Sequence, residues 1–192
     1  AQPGGEGARA FIKLDATAAR ASADAMDTLR RAGRAPGPFA GIPFTIKDLA
    51  DIAGQPTPAG SKVLANAPAA ATNAPVVQRI MNAGFVIMGR TNMTEFAFSG
   101  LGINPHYGTP KAPWDRANAS IPGGRIPGGS SAGAAVSVAD AMAYGALGTD
   151  TGGSCRIPAA MCGIVGYKPT ARRVPITGVL PLSTSLDSIG PL

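Results

Sequence analysis

Short apolar runs that alternate with amphipathic helical stretches constrain the fold of this chain most. Residues 85–89 read FVIMG, an uninterrupted apolar run directly after a helical stretch, which is typical of a strand buried on both faces. Residues 41–46, GIPFTI, and 146–148, ALG, predict two further short strands. Strands of this kind between helices predict an α/β fold, with the sheet covered by helices on both faces.

Three helices are predicted around these strands. The first covers residues 15–32 and ends at Gly33, a favourable C-terminal cap. The second covers about 75–83 and ends at Gly84, and the third covers about 131–144. The inner face of the first helix carries small or apolar side chains at helical spacing, namely Ala19, Ala23, Met26 and Leu29.

Composition indicates one packed domain without a nucleic-acid or membrane partner. Apolar residues make up 45% of the 192 residues and charged residues only 15%, which excludes a disordered chain. The net charge of +6 is spread over scattered basic residues, and three Tyr and one Trp offer little for base stacking. No apolar run approaches the ~20 residues that span a bilayer.

The cysteines and the chain ends also carry expectations. Cys155 and Cys162 lie seven residues apart without histidine neighbours, so they predict neither a zinc site nor a disulfide scaffold, and the protein is expected in the reducing cytoplasm. The chain opens without Met and closes abruptly on residues 188–192, SIGPL. We therefore expect residues 1–192 to be part of a longer domain, with a homo-oligomer left open.

Lys47 is the first candidate for chemistry, because it directly follows the strand at 41–46. Burial there would favour its neutral form and let it act as a base near pH 7. The alternative is a strand-end lysine whose ammonium group reaches water.

Residues 127–133, PGGSSAG, form a glycine-rich turn that leads into the third helix. Free N–H groups at such a turn bind anions, and the helix N-terminus adds positive potential. The turn could be a phosphate cradle, although the lysine of a P-loop is missing. It could also be only a helix start with Ser130 as the cap.

Residues 148–158, GTDTGGSCRIP, are the third candidate segment. Two glycines before Ser154 allow a tight backbone whose N–H groups point to one spot beside the hydroxyl. This geometry makes an oxyanion hole next to a nucleophile. An ordinary surface turn is the alternative, because Asp-x-Gly-Gly is common turn chemistry.

A nucleophile elbow with Ser131 as nucleophile competes with this interpretation. Residues 129–133, GSSAG, match G-x-S-x-G. That mechanism needs a histidine later in the chain, and the one histidine, His106, precedes the serine. Two serines with a lysine instead offer a histidine-free way to activate a hydroxyl.

Three sequence blocks resemble the defining blocks of the amidase signature family. They read GIPFTIKD, PGGSSAGAAVSVA and ALGTDTGGSCRIPAAMCGIVGYKPT, and the segments GRTNMTEFAFSG, PWDRA and SLDSIGP resemble the family's connecting segments. The resemblance covers roughly residues 37–192 and implies a mixed, twisted sheet with helices on both faces. The catalytic core would occupy 41–192.

The resemblance also implies the roles of individual residues. Lys47, Ser130 behind a cis peptide bond and the nucleophile Ser154 would form the triad. Ser131 and Arg156 would support the site. The oxyanion would be held by N–H groups of Thr151, Gly152, Gly153 and Ser154, and the substrate would be bordered by Ala97, Phe98 and Ser99. His106 has no family role and is expected in a loop.

The implied function is hydrolysis of a linear carboxylic amide to acid and ammonia or amine, with no metal or organic cofactor. One alternative is the glutaminase subunit of a tRNA-dependent amidotransferase, although residues 99–108, SGLGINPHYG, differ from that subunit's serine- and asparagine-rich stretch. The other is an inactive, truncated fragment. Residues 118–124 also look longer than the family usually carries, inside a long connection at 104–129 that is rich in proline and glycine.

Overall fold

The computed structural model describes residues 5–118, 120–121 and 123–192, which form one five-stranded sheet with helices on both faces. In chain order the elements are α1 (Gly7–Ala10), β1 (Phe11–Leu14), α2 (Ala16–Arg31), β2 (Pro43–Lys47), α3 (Pro75–Asn82), β3 (Val86–Thr91), a 3₁₀ turn (Glu95–Ala97), α4 (Ala132–Ala139), β4 (Gly145–Asp150), α5 (Arg156–Cys162) and β5 (Ser188–Pro191).

The sheet is mixed, with the strand order β1-β3-β2-β4-β5. The central strand β2 runs parallel to both β3 and β4, whereas β1 and β5 pair antiparallel at the two edges. Ile46 of β2 lies beside Arg90 on one side and Leu147 on the other. Parallel strands need helices on both faces, because their connections cross over the sheet. The predicted fold class is thereby confirmed.

Consecutive residues of β4 pack into two separate hydrophobic cores, one on each face of the sheet. Ala146 packs with the small side chains of α4 and with Cys155 and Cys162, at the two ends of α5. Its neighbour Leu147 packs on the opposite face, where α3 contributes Val76 and Val77. This two-residue alternation places α4 and α5 on one face of the sheet and α3 on the other.

Helix α2 occupies the first predicted helical stretch but buries little of it. Asp15 is its N-cap and accepts a hydrogen bond from Ala18 N at 3.0 Å. Gly33 follows the helix in the left-handed conformation, at φ 68°. Of the predicted inner face only Ala19 is buried. None of the helices in the described ranges is long and apolar enough to cross a lipid bilayer.

Several element ends differ from the sequence-based prediction. Helix α4 ends at Ala139 rather than 144, because Ala141 adopts a left-handed φ of 54° and Met142 N bonds back to Ser137 O. Strand β3 continues past the apolar run to Thr91. The short elements α1, β1, α5 and β5 have no strong periodic pattern and were missed.

A hydrogen-bonded stack positions the start of α4 against the end of β3. Asn92 N donates to Ala10 O at 2.8 Å, and Gly133 N donates to Asn92 O at 2.8 Å. Gly133 is required for this approach, because a Cβ atom there would overlap Ala10 O and lie 2.6 Å from Asn92 N. The first turn of α4, which follows Ser130 and Ser131, is therefore set by this contact.

We expect Gly133→Ala to destabilise the full-length protein that contains this chain by about 1–3 kcal/mol, the usual cost of overpacking. The lost stability should appear as a lower melting temperature by calorimetry. Gly37→Ala is the matched control, because its Cβ would meet only Ala83 O at 3.9 Å. Equal melting temperatures of the two variants would contradict this account of the α4 contact.

Candidate functional site

The three candidate segments meet at one edge of the sheet. Lys47 ends β2, and Ser154 lies in the turn between β4 and α5. Since β2 and β4 are parallel neighbours, their carboxyl ends lie at the same edge, where ligand sites of α/β sheets are usually found. Ser130 immediately precedes the N-terminus of α4, and Ser131 N donates to Ser154 O at 3.3 Å.

Lys47 is buried at the centre of the site. It is 1% exposed, so the alternative of an ammonium group reaching water is wrong. Its Nζ donates to Ser130 Oγ at 2.7 Å and to Thr149 Oγ1 at 2.7 Å. Burial lowers the pKa of Lys47 to about 8, and the nearby carboxylates of Asp150 and Asp187 act in the opposite direction. The amine is therefore partly neutral near pH 8 and can take up a proton.

Ser130 is fully buried, and backbone hydrogen bonds before and after its side chain hold it in place. Its peptide bond with Gly129 is cis, the form that the resemblance implies. Gly129 N donates to Gly100 O at 2.8 Å, and Ser130 O accepts a hydrogen bond from Thr94 N at 3.1 Å. These bonds tie the serine to the segment that follows β3.

The alternatives for the glycine-rich turn do not agree with these contacts. Ser131, not Ser130, is the N-cap of α4, and its side chain makes no capping bond. The N–H groups of Gly129, Ser131 and Gly133 already donate to protein carbonyls, which does not support a phosphate cradle. Ser131 is 0% exposed and lies within hydrogen-bond distance of Thr149 O, whereas an elbow nucleophile needs an accessible hydroxyl.

The turn before α5 contains consecutive backbone N–H groups that have no acceptor among the described residues. No described residue accepts a hydrogen bond from the N–H groups of Thr151, Gly152, Gly153 or Ser154. Gly153 takes a φ of 136°, and a Cβ atom there would lie 2.7 Å from Ile157 Cδ1. Beside Gly152 no atom lies within 4 Å of a built Cβ. Four free N–H groups beside a serine 7% exposed can hold an oxyanion.

Asp150 and Arg156 clamp the two ends of this turn together. Arg156 donates to both carboxylate oxygens of Asp150, at 3.0 and 2.9 Å. Asp150 Oδ2 also accepts a hydrogen bond from Cys155 N at 3.1 Å. Burial acts to raise the pKa of Asp150, but these hydrogen bonds outweigh it and the pKa is lowered. The carboxylate therefore stays ionised. The contacts of Arg156 with Asp150 stabilise the turn and do not indicate a catalytic role.

Cys155 is not a competing nucleophile, although it follows Ser154 directly. It is 0% exposed, and burial raises its pKa to about 11. The thiol is therefore protonated and shielded at neutral pH.

The predicted substrate-border residues lie in different environments. Ala97 is 5% exposed and packs with Leu49 and Met93, whereas Phe98 is 81% exposed. Ser99 Oγ accepts a hydrogen bond from Leu101 N at 3.1 Å. Of the three, Phe98 is the most available to a ligand. His106 lies in a turn, with Nε2 2.8 Å from Glu95 Oε1.

Sequence reasoning missed Thr149 and two carboxylates. Thr149 is the second hydroxyl on Lys47, and Asp187 accepts a hydrogen bond from Thr151 Oγ1 at 2.5 Å. Asp48 forms a buried ion pair with Arg90 at 2.6 Å, next to Lys47 in the chain. Asp187 lies in SLDSIGP and Thr149 in the third block, but no sequence spacing predicts that either residue belongs to the site. Only the fold brings them to the site.

Large cavities lie away from this site. An open groove of about 800 Å³ is lined by Phe44, Ile80 and Val174 among others, and a cavity of about 320 Å³ lies between α2 and the sheet. Neither is lined by Lys47, Ser130 or Ser154. Of these three residues Ser154 is the most exposed, at 7%, against 1% for Lys47 and 0% for Ser130.

Comparisons with known proteins find similar sequences and structures over nearly the whole chain. The sequence profile of the family described as Amidase matches residues 6–192. The chain is 47% identical to 2-amino-5-chloromuconic acid deaminase of Comamonas testosteroni over 95% of this chain and 38% of that protein. It is 46% identical to a glutamyl-tRNA(Gln) amidotransferase subunit of Chloroflexus aurantiacus, over 96% and 36%. The peptide amidase of Stenotrophomonas maltophilia superposes with a TM-score of 0.85 at 38% identity, over 98% and 38%. The chain thus spans well under half the length of these proteins.

We expect Lys47 to titrate near pH 8 in the folded full-length protein, because burial disfavours its charge. NMR of ¹³C-labelled lysine should show this midpoint, with the signal assigned by its loss in Lys47→Met. The same label in urea-unfolded protein is the control, since free lysine titrates near 10.4.

The lowered pKa also fixes the sign of the effect on stability. Between pH 8 and about 10.4 the unfolded chain binds more protons at Lys47, so its contribution to folding stability rises with pH across that window. A folded-state midpoint above pH 10 would contradict both statements.

Proposed function

Because the chain belongs to the amidase signature family, we propose that the protein containing it hydrolyses a linear carboxylic amide to an acid and ammonia or amine. Ser154 is the nucleophile in this proposal, and Lys47 and Ser130 are the proton relay. The observation that carries it is the 2.7 Å hydrogen bond between Lys47 Nζ and Ser130 Oγ in a buried setting that lowers the lysine pKa to about 8.

Proton transfer through Ser130 would activate the nucleophile. Neutral Lys47 takes a proton from Ser130, which takes one from Ser154. Ser154 Oγ then attacks the amide carbonyl carbon. The negative charge on the carbonyl oxygen is held by the free N–H groups of residues 151–154.

The same relay run backwards would complete the reaction. Lys47 returns its proton through Ser130 to the leaving nitrogen, which is otherwise too basic to depart. The C–N bond breaks and leaves an ester on Ser154. Water then attacks this ester with the relay as base, and the carboxylic acid is released.

A glutaminase subunit of a tRNA-dependent amidotransferase is the second candidate. It is supported by the 46% identity to the amidotransferase subunit of Chloroflexus aurantiacus. Residues 99–108 differ from the stretch expected in that subunit, so we favour a free-standing amidase. Hydrolysis of simple amides without any partner would separate the two, because the glutaminase passes ammonia to a partner protein.

The expected setting is the cytoplasm, with a small amide as substrate and no nucleic acid or membrane. Both cysteines are free and buried in the structure, which fits a reducing compartment. A homo-oligomer is part of this proposal, and the mass of the full-length protein in solution tests it.

We expect Ser154→Ala in the full-length protein to abolish turnover of an aryl amide, and Lys47→Ala to lower kcat by roughly 10²–10⁴-fold at neutral pH. The two losses should not add in the double variant, since the groups act as one relay. Steady-state kinetics with purified variants checks this. Retention of more than about a tenth of wild-type activity by Lys47→Ala would refute the lysine relay.

Ser131→Ala separates the two serine mechanisms. In the relay its hydroxyl only supports the site, so we expect a partial loss of kcat. The elbow mechanism makes the same change fatal. Mass spectrometry after reaction with a fluorophosphonate shows which serine carries the adduct, and an adduct on Ser131 would overturn the assignment of Ser154.

A further inference from the structure

Asp187 is a carboxylate outside the three signature blocks that reaches the turn before Ser154. It immediately precedes β5, and the first residue of that strand, Ser188, pairs with Asp150 at the end of β4. The antiparallel pairing therefore places Asp187 beside Thr151, the first residue of the turn with free N–H groups.

Both carboxylate oxygens of Asp187 are engaged. Oδ1 accepts the hydrogen bond from Thr151 Oγ1 at 2.5 Å. Oδ2 accepts hydrogen bonds from Leu182 N at 2.9 Å and Ser183 N at 3.0 Å. A neutral asparagine can keep this set only by turning the Thr151 hydroxyl round to accept, and its hydrogen bonds lack the charge of a carboxylate.

We infer that Asp187 is a positioning residue for the proposed amide hydrolysis, holding Thr151 and the free N–H groups that follow it in place beside Ser154. The inference rests on the proposed function. Hydrogen bonds to ionised groups are about twice as strong as neutral ones, so this contact fixes the turn firmly. An oxyanion hole depends on such fixed donors, because donors that reorient during the reaction give little stabilisation.

Asp187 also acts on the base through its charge. Its carboxylate favours the ammonium form of Lys47 and so works against the lowering of the lysine pKa by burial. The other titratable groups that face Lys47 are Cys155 before α5 and Asp150 at the end of β4, which is paired with Arg156. Asp48, which follows Lys47 in the chain, is paired with Arg90 of β3.

A direct contact of Asp187 with substrate does not fit the structure. The cavity beside it, lined by Thr149, Thr151 and Leu182 among others, measures about 10 Å³. This volume holds about one water molecule, not an amide substrate. Asp187 therefore acts through Thr151 and through its charge.

The test uses Asp187→Asn, Thr151→Val and Thr151→Ser in the full-length protein with an aryl amide. Deleting one oxyanion donor costs about 10²–10³-fold in kcat. Since these changes loosen the turn without deleting a donor, we expect kcat to fall about 10–10²-fold in Asp187→Asn and Thr151→Val, with KM changed far less. Thr151→Ser keeps the hydroxyl and should recover most of the loss seen in Thr151→Val.

The pH profile separates the charge of Asp187 from its hydrogen bond. Activity rises with pH as Lys47 becomes neutral. Asp187→Asn removes a negative charge near Lys47, so its acidic limb should move to lower pH. Thr151→Val leaves all charges in place and should keep the wild-type limb. If the role of Asp187 were purely structural, the acidic limbs of the Asp187→Asn and Thr151→Val profiles would lie at the same pH.

Two controls distinguish a failure of the proposed function from a failure of the proposed role of Asp187. Asp24→Asn removes an exposed carboxylate on α2 and should leave kcat and the pH profile unchanged. An inactive wild-type protein, or a Ser154→Ala variant that keeps its activity, would refute the proposed function itself. An active wild type with Asp187→Asn at the wild-type kcat and pH limb would refute only the role of Asp187.

Discussion

The buried contact between Lys47 and two hydroxyl groups is the interaction on which the rest of the site depends. An isolated buried lysine is expensive to keep charged, and its pKa falls until the neutral amine competes. Ser130 and Thr149 give the amine hydrogen-bond partners without adding a counter-charge, so it stays buried yet neutral enough to act as a base. A carboxylate in the same position would hold the proton and remove that function.

The fold maintains this contact with separate elements. Parallel pairing of β2 with β4 brings Lys47 and Thr149 to one edge, and the stack through Asn92 fixes the first turn of α4 behind Ser130. Carboxylates then hold the turn around Ser154: Asp150 joins its two ends through Arg156, and Asp187 holds its start. The lysine and the carboxylates thus have different partners: Lys47 contacts two hydroxyl groups, whereas Asp150 is paired with Arg156 and Asp187 accepts from backbone N–H groups.

The sequence predicted the fold class and the segments of the site, but not all of its contacts. Apolar runs marked β2, β3 and β4, because strands buried on both faces leave that pattern in the sequence. The edge strands β1 and β5 are four residues each and too short for periodicity to show. Lys47, Ser130 and Ser154 were singled out by their places in the sequence pattern and by resemblance. Thr149 and Asp187 were missed, because their importance comes from cross-strand pairing, which no local motif records.

The central claim is that Lys47 activates Ser154 through Ser130. The most direct measurement is the rate at which a fluorophosphonate modifies Ser154 between pH 6 and 10, compared between wild type and Ser130→Ala in the full-length protein. It needs no knowledge of the natural substrate. The account predicts a wild-type rate that rises with a midpoint near pH 8, the lowered pKa of Lys47, and a slow rate in Ser130→Ala that has lost this midpoint. Equal rates with the same midpoint in both proteins would contradict it.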